Sequence, residues 1–235
     1  MHLFLSDTTQ GPYATLPPEE SKHCVRVLRM QLGDELYVTS GDGTMCRARI
    51  ANPDPTACQV EITERLPNYG ARPFKLHMAV APTKNNARME WFVEKAVEIG
   101  VDRITPVICQ HSERSTLNTD RLRKIALSAM KQSLQATLPQ IDPPTPLTRL
   151  LDEPLPTCPL VCYCVGDDRR TLHQLYTPGT DALVLIGPEG DFSPDEINRC
   201  LSLGIQPVTL GNNRLRTETA ALYALTTLNF LNTLS

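Results

Sequence analysis

The chain has 235 residues, 41% hydrophobic and 21% charged, which excludes a disordered polymer and suits one large domain or two small ones. Net charge is −3 and unevenly spread: residues 1–131 hold 17 Lys and Arg against 15 Asp and Glu, whereas residues 132–235 hold 6 against 11, so a front half able to meet phosphates is followed by an acidic back half. No apolar run approaches the ~18 residues of a membrane span, no secretory leader is visible in MHLFLSDTTQG, and eight cysteines over this length read as the reduced thiols of a cytoplasmic protein.

The predicted elements begin with short strands. Leu36–Ser40 and Thr44–Ile50 alternate around Gly41-Asp42-Gly43, a hairpin pattern, and Cys58–Thr63 adds another strand. The expectation is a small β barrel or sandwich over residues 1–70. PNYGARP at 67–73 then reads as a linker.

From residue 74 the pattern changes. Leu76–Ala81 is strand-like. Met89–Ile99 has helical spacing, with Trp91, Phe92, Ala96 and Ile99 expected on its buried side and Gly100 at its end. Ile104–Ile108 is a strand and Asp120–Leu134 a helix. Residues 139–159 hold seven prolines and are expected to be extended and loop-rich. Leu160–Val165, Ala182–Ile186 and Gln206–Leu210 are further strands, and Thr217–Leu231 is the last helix. Strands alternating with helices predict an α/β domain, 74–235, with a mostly parallel sheet under flanking helices.

Several chemistries find no motif. There is no G-x-G-x-x-G after a strand, no P-loop, no H-E-x-x-H and no G-x-S-x-G. Cys158, Cys162 and Cys164 lie in an apolar strand without a C-x-x-C pair, which favours buried thiols over zinc, and no metal is expected.

The informative stretch is 182–222. ALVLI leads into Gly187-Pro188-Glu189-Gly190-Asp191-Phe192, and Ser193-Pro194-Asp195-Glu196 then opens a helix with a capping serine, a first-position proline and a capping box. A second loop, Leu210-Gly211-Asn212-Asn213-Arg214-Leu215-Arg216, joins the next strand to Thr217 and the final helix. Loops at the carboxyl ends of strands are where open α/β sheets bind ligands. Spacing alone leaves two readings open: a pair of loops clasping a flat small molecule, or two ordinary strand-to-helix turns.

These residues carry a resemblance. GPEGDFSPDE and LGNNRLRTETAAL resemble the two signature loops of the SPOUT, or α/β-knot, RNA methyltransferases, and more narrowly the ribosomal small subunit methyltransferase E family, which methylates N3 of a uridine in 16S rRNA. His23–Met30, Lys84 with Met89-Glu90, Glu94–Val101, and Gln132-Ser133 with Pro139 are similar to further elements of that family in the same order. Three positions depart from it: Asp191 where the family usually has a second glycine, no arginine near Gln135, and Asn212 where proline is common.

The resemblance implies a PUA-like β-barrel at the front and a trefoil-knotted methyltransferase domain behind. S-adenosylmethionine would be held by Ile186, Gly187, Pro188, Glu189, Gly190, Leu210, Gly211, Asn212, Leu215 and Arg216. Uridine N3 carries a proton, so the reaction needs a proton acceptor and a cation to balance charge spreading onto O2 and O4; Arg216, Glu218 and Glu189 are the candidates. His23, Arg26 and Arg29 in the first domain, with Lys84 and Arg88 in the second, are the expected contacts to rRNA of the small subunit. Two rivals remain: a related enzyme acting on another RNA atom, such as a ribose oxygen, and a non-catalytic assembly factor. In the final helix Ala221, Leu222, Leu225, Leu228, Phe230 and Leu231 exceed one apolar stripe, with Ala220, Ala224 and Thr227 as a second, small-residue face; the helix alone fits full burial within one chain as well as dimerisation, and the family resemblance implies a homodimer through the second domain.

Overall fold

The computed structural model describes residues 2–164 and 169–234; Val165, the last residue of the expected strand 160–165, lies outside the described residues. The chain divides into two compact units, residues 1–71 with 127–138 and residues 72–126 with 139–235.

The first unit is a five-stranded sheet in the order β1-β3-β4-β5-β2. Its strands are β1 (Leu3–Leu5), β2 (Tyr13–Thr15), β3 (Glu35–Thr39), β4 (Met45–Asn52) and β5 (Gln59–Leu66). Alternation over residues 46–50 of β4 buries Cys46, Ala48 and Ile50 and exposes Arg47 and Arg49. The inward set packs with Phe4, Leu16, Leu36, Val38 and Val60 into one core. Ser6, just beyond β1, donates to the Thr15 carbonyl on β2 at 3.2 Å, so the two edges of the sheet are tied together as a barrel requires. Between β2 and β3 lie α1 (Pro18–Lys22), opened by proline at its first position, and a turn of π-helix over His23–Val27.

Residues 127–138 join this unit, although the sequence pattern groups them with the second domain. Both glycines of the hairpin turn have positive φ, Gly41 at 81° and Gly43 at 93°. Ala136 accepts from Gly43 N at 3.0 Å and from Thr39 Oγ1 at 3.1 Å, and Leu138 N donates to Gly41 O at 3.0 Å.

The second unit is a parallel sheet in the order β11-β13-β10-β12-β6-β7-β8, with β9 pairing on the end of β7. In chain order these are β6 (Leu76–Val80), β7 (Arg103–Ile108), β8 (Gln140–Ile141), β9 (Thr145–Pro146), β10 (Cys158–Cys162), β11 (Arg170–Thr171), β12 (Ala182–Ile186) and β13 (Gln206–Thr209). β12 is buried along its whole length, as a central parallel strand covered on both faces must be. The helices are α2 (Asn86–Ile99), α3 (Thr119–Gln132), α4 (Leu147–Leu150), α5 (Leu172–Leu175), α6 (Pro194–Ser202) and α7 (Thr217–Thr233). α7 packs on α2 and across β6 and β12.

Two expectations change. The buried stripe of α2 is Met89, Phe92, Val93, Ala96 and Val97, while Trp91 is 48% exposed; the stripe follows i, i+3, i+4, i+7 and i+8, which puts Trp91 on the opposite side. The proline-rich stretch is not all extended, because Pro146 precedes the short helix α4, whose Leu147 and Leu150 enter the core. Asn85 caps α2 and Gly100 ends it at φ 106°.

Candidate active site

β10, β12 and β13 are neighbours in the sheet and run in the same direction, so the loops at their carboxyl ends meet at one edge. They enclose a cleft of about 960 Å³, lined by all ten residues expected to hold the cofactor. Arg88, Cys162, Tyr163, Cys164, Arg169 and Asp191 also line it. The wall from β10 was not expected: its cysteines read as buried strand residues, and no local pattern says which strand lies beside β12.

Loop 187–191 is braced. The Gly187 carbonyl accepts from Thr217 Oγ1 at 3.2 Å, fixing the start of α7 against it. Glu189 Oε1 accepts from the Lys84 backbone N–H at 3.1 Å. Asp191 Oδ2 accepts from Cys164 N at 2.8 Å and its Oδ1 from Phe192 N at 2.9 Å. Asp191 takes the left-handed conformation, φ 63°, which costs a non-glycine residue strain; these two bonds offset it. The departure from glycine therefore leaves the cleft open and pins the β10 loop to the β12 loop. Ser193 and Glu196 form the expected capping box, with Ser193 N donating to Glu196 Oε2 at 2.8 Å.

Close packing explains the glycines. A Cβ on Gly187 would stand 3.0 Å from the Phe192 ring, and one on Gly190 would stand 3.2 Å from His111 Cβ. His111 Nδ1 lies 3.1 Å from the Asp191 carbonyl, and Arg114 donates to the Lys84 carbonyl at 3.1 Å. The loop after β7 thus also supports the cleft, another contribution that no sequence signal marked.

Loop 210–216 is built differently. Gly211 has φ 112° and its N–H reaches Thr209 Oγ1 at 3.3 Å. Asn212, Asn213 and Arg214 are exposed. Among the described residues, no protein acceptor takes the backbone N–H groups of Asn213, Arg214 and Leu215.

The catalytic candidates separate. Glu218 is buried at 7% exposure in the first turn of α7, where the helix dipole favours a carboxylate. Arg88 Nε lies 3.7 Å from its Oε1, so Arg88, expected among the RNA contacts, stands in the cleft beside a catalytic candidate. Arg216 precedes α7, exposed and lining the cleft. Glu189 braces its loop through Lys84, whose ammonium pairs with Glu113 at 2.9 Å. Burial, then the nearby Asp191 carboxylate, pushes the Cys164 thiol up, and burial pushes the Cys162 thiol up to about 12. Both shifts favour the neutral thiol over the thiolate. His23, Arg26 and Arg29 lie in the first unit.

A family model described as an RNA methyltransferase domain matches residues 71–229, and one described as an RNA methyltransferase PUA domain matches residues 16–63. The ribosomal RNA small subunit methyltransferase E of Mesomycoplasma hyopneumoniae is 30% identical over 178 residues, 73% of this chain and 77% of that protein. The chain belongs to the ribosomal RNA small subunit methyltransferase E family. The Bacillus subtilis member is 26% identical, over 94% of this chain and 91% of its own. Among solved structures, a probable rRNA-methyltransferase from Porphyromonas gingivalis is 41% identical, with a TM-score of 0.93 over 100% of this chain and 99% of that one. The family enzyme from Neisseria gonorrhoeae, solved bound to S-adenosyl methionine, is 26% identical, with a TM-score of 0.88 over 98% of each chain. Membership makes this chain an RNA methyltransferase with a PUA domain in front.

Proposed function

We propose that the enzyme transfers the methyl group of S-adenosylmethionine to N3 of a uridine in 16S rRNA of the small ribosomal subunit, in the cytoplasm. The observation that carries this reading is the cleft at the ends of β10, β12 and β13. Its size is that of a small-molecule site. Gly187 and Gly190 admit a ligand close to the backbone, Ile186, Leu210 and Leu215 offer apolar contact, and the N–H groups of residues 213–215 are ready donors for a nucleoside. These residues fit S-adenosylmethionine, which supplies a methyl group on a sulfonium sulfur when bound.

The chain's own groups handle the proton and the charge. Glu218 accepts the N3 proton, leaving the N3 electron pair free to attack the methyl carbon. Arg216 faces the negative charge that spreads over O2 and O4. Arg88, paired with Glu218, holds that carboxylate in place. Glu189 shapes the loop. In the first unit His23, Arg26 and Arg29 position the RNA, with Lys84 at the mouth of the second. N3 lies on the pairing edge, so the target uridine is unpaired or flipped out when it reacts.

A trefoil-knotted path is supported by β13, which is inserted between β10 and β11 before α7 returns across β12 and β6. A homodimer through α7 is supported by Tyr223 and Phe230, 51% and 58% exposed. Ala224, expected on the partner-facing side, is buried within the chain with Ala221, Leu225 and Leu228, so the proposed surface centres on the two aromatics. Light scattering reads this directly: twice the chain mass of 26.1 kDa is expected, and the single mass would remove the dimer. Among the described residues no helix is long and apolar enough to cross a membrane.

The deciding experiment is transfer of labelled methyl from S-adenosylmethionine to small subunits from a strain lacking the modification. Reverse transcription should stop at one uridine, because N3 methylation blocks pairing. Transfer to another atom would support the rival enzyme, and no transfer despite cofactor binding would support the assembly factor.

A further inference from the structure

The first unit contains a cleft of its own, about 340 Å³, at the low end of ligand-site volumes. It lies between β1, the π-helical turn and the end of α3. Phe4 and Leu28 give it an apolar base, and His2, His23, Lys131 and Gln132 stand around it. Lys131 is held by Glu20, whose other oxygen accepts from Leu5 N at 3.2 Å. The side chains of His2 and Gln132 have no partner among the described residues, and His23 has only a ring contact to Phe4, 6.3 Å between centroids.

Three backbone irregularities surround this cleft. The turn 23–27 is π-helical, a form that concentrates at functional sites. Arg29 and Leu134 are left-handed, φ 56° and 55°. A left-handed leucine is a strained residue held by its surroundings, and such strain gathers at ligand sites.

The charges tell the same story. Of the first unit's seven Lys and Arg residues, Arg47, Arg49 and Lys131 pair with carboxylates and Arg65 binds carbonyls. The remaining three, Lys22, Arg26 and Arg29, have no partner among the described residues and lie within one stretch of eight residues that also supplies His23 and Leu28 to the cleft lining. Unpaired cations beside an apolar recess with an amide at its rim suit one ligand chemistry, a nucleotide whose base enters the recess while its phosphates meet the cations.

We infer that this cleft is a second nucleotide subsite, taking an unstacked base of the RNA strand other than the base to be methylated. The inference rests on the reading that the first unit contacts RNA. Gln132 offers a donor and an acceptor to the base edge, the imidazoles of His2 and His23 flank its faces, and Lys22, Arg26 and Arg29 hold the adjoining phosphates. This gives a role to Gln132, a family-like position that the methyl-transfer site leaves unused.

Fluorescence anisotropy with the full chain tests this, using short labelled homopolymers of each ribonucleotide and an abasic strand of equal length. At least one base-bearing strand should bind about fivefold or more tighter than the abasic strand. Gln132→Ala should erase that preference without changing abasic binding, and His23→Ala should reduce the preference. The double variant Arg26→Ala with Arg29→Ala should weaken all strands alike and flatten their salt dependence. Gln132 is exposed, so its variant tests the subsite without threatening the fold, and an unchanged melting temperature verifies this. Equal binding of all strands, abasic included, would overturn the subsite. So would free nucleoside monophosphates competing as well as the strands, which would mark a small-molecule site. Failure of the wild type to methylate subunits, with base preference intact, would instead count against the proposed reaction alone.

Discussion

Loop 187–191 and loop 210–216 face the same cleft, but the first is tied to its surroundings and the second hardly at all. Glu189, Asp191 and the Gly187 carbonyl reach Lys84, Cys164 and Thr217, linking β12's loop to three other segments. On the other side, among the described residues, the Thr209 hydroxyl reaches back to Gly211, and the Arg216 carbonyl accepts from Ala220 N at the start of α7. The braced wall exists before any ligand arrives and fixes where it sits. The open wall holds unpaired N–H groups that a ligand can satisfy, so its order follows binding. Segments with few internal bonds are the ones that open and close at low cost.

The largest effect is expected where the two walls meet, at the start of α7. Glu218→Gln should lower turnover by roughly a hundredfold or more, the scale of a lost general base, with cofactor affinity unchanged. Unchanged turnover would remove Glu218 as proton acceptor. Next, Gly187→Val breaks the braced wall, because the added carbons meet the Phe192 ring. Calorimetry should show S-adenosylmethionine affinity falling by roughly tenfold to a hundredfold, the range of an overpacked site, while circular dichroism stays native. Full affinity in that variant would move the cofactor elsewhere.

Asp191→Ala is a gentler break. It removes the bonds to Cys164 and Phe192 and keeps the strained φ, so affinity should fall about tenfold, the value of one or two lost charged bonds. Asp191→Gly, which relieves φ but also loses the bonds, should fall less. The same residue has a readout apart from binding. Burial and then the Asp191 charge raise the Cys164 thiol, so Asp191→Asn should shift the pH profile of Cys164 alkylation to lower pH. An unmoved profile would mean that the carboxylate does not govern that wall. The smallest effect belongs to the open wall: Asn212→Pro reduces the freedom of the unbound loop and should tighten cofactor binding, by no more than about fivefold.

What the sequence made legible was local. The hairpin at Gly41–Gly43, the cap at Ser193 and the end of α2 at Gly100 each need only neighbouring residues, and each stands where its signal put it. Trp91 was misplaced because one aromatic in a short stripe is consistent with two phases of the helix. The pairing of residues 136–138 with the hairpin turn depends on partners about a hundred positions away. The strand order that brings Cys162 and Cys164 to the cleft depends on β12 and β13, about 24 and 46 positions further on. Asp191 looked like a disturbance of a glycine loop because the Cys164 N–H it receives comes from another strand. The chemistry was visible as two glycine loops, whereas their unequal bracing exists only in three dimensions.

Amide hydrogen exchange with and without S-adenosylmethionine tests that inequality most directly. Amides 213–216 should exchange fast in the free protein and become strongly protected by the cofactor. The Cys164, Asp191 and Phe192 amides should be protected in both states. Fast exchange at Cys164 and Asp191 in the free protein, or no cofactor-induced protection across 213–216, would contradict it.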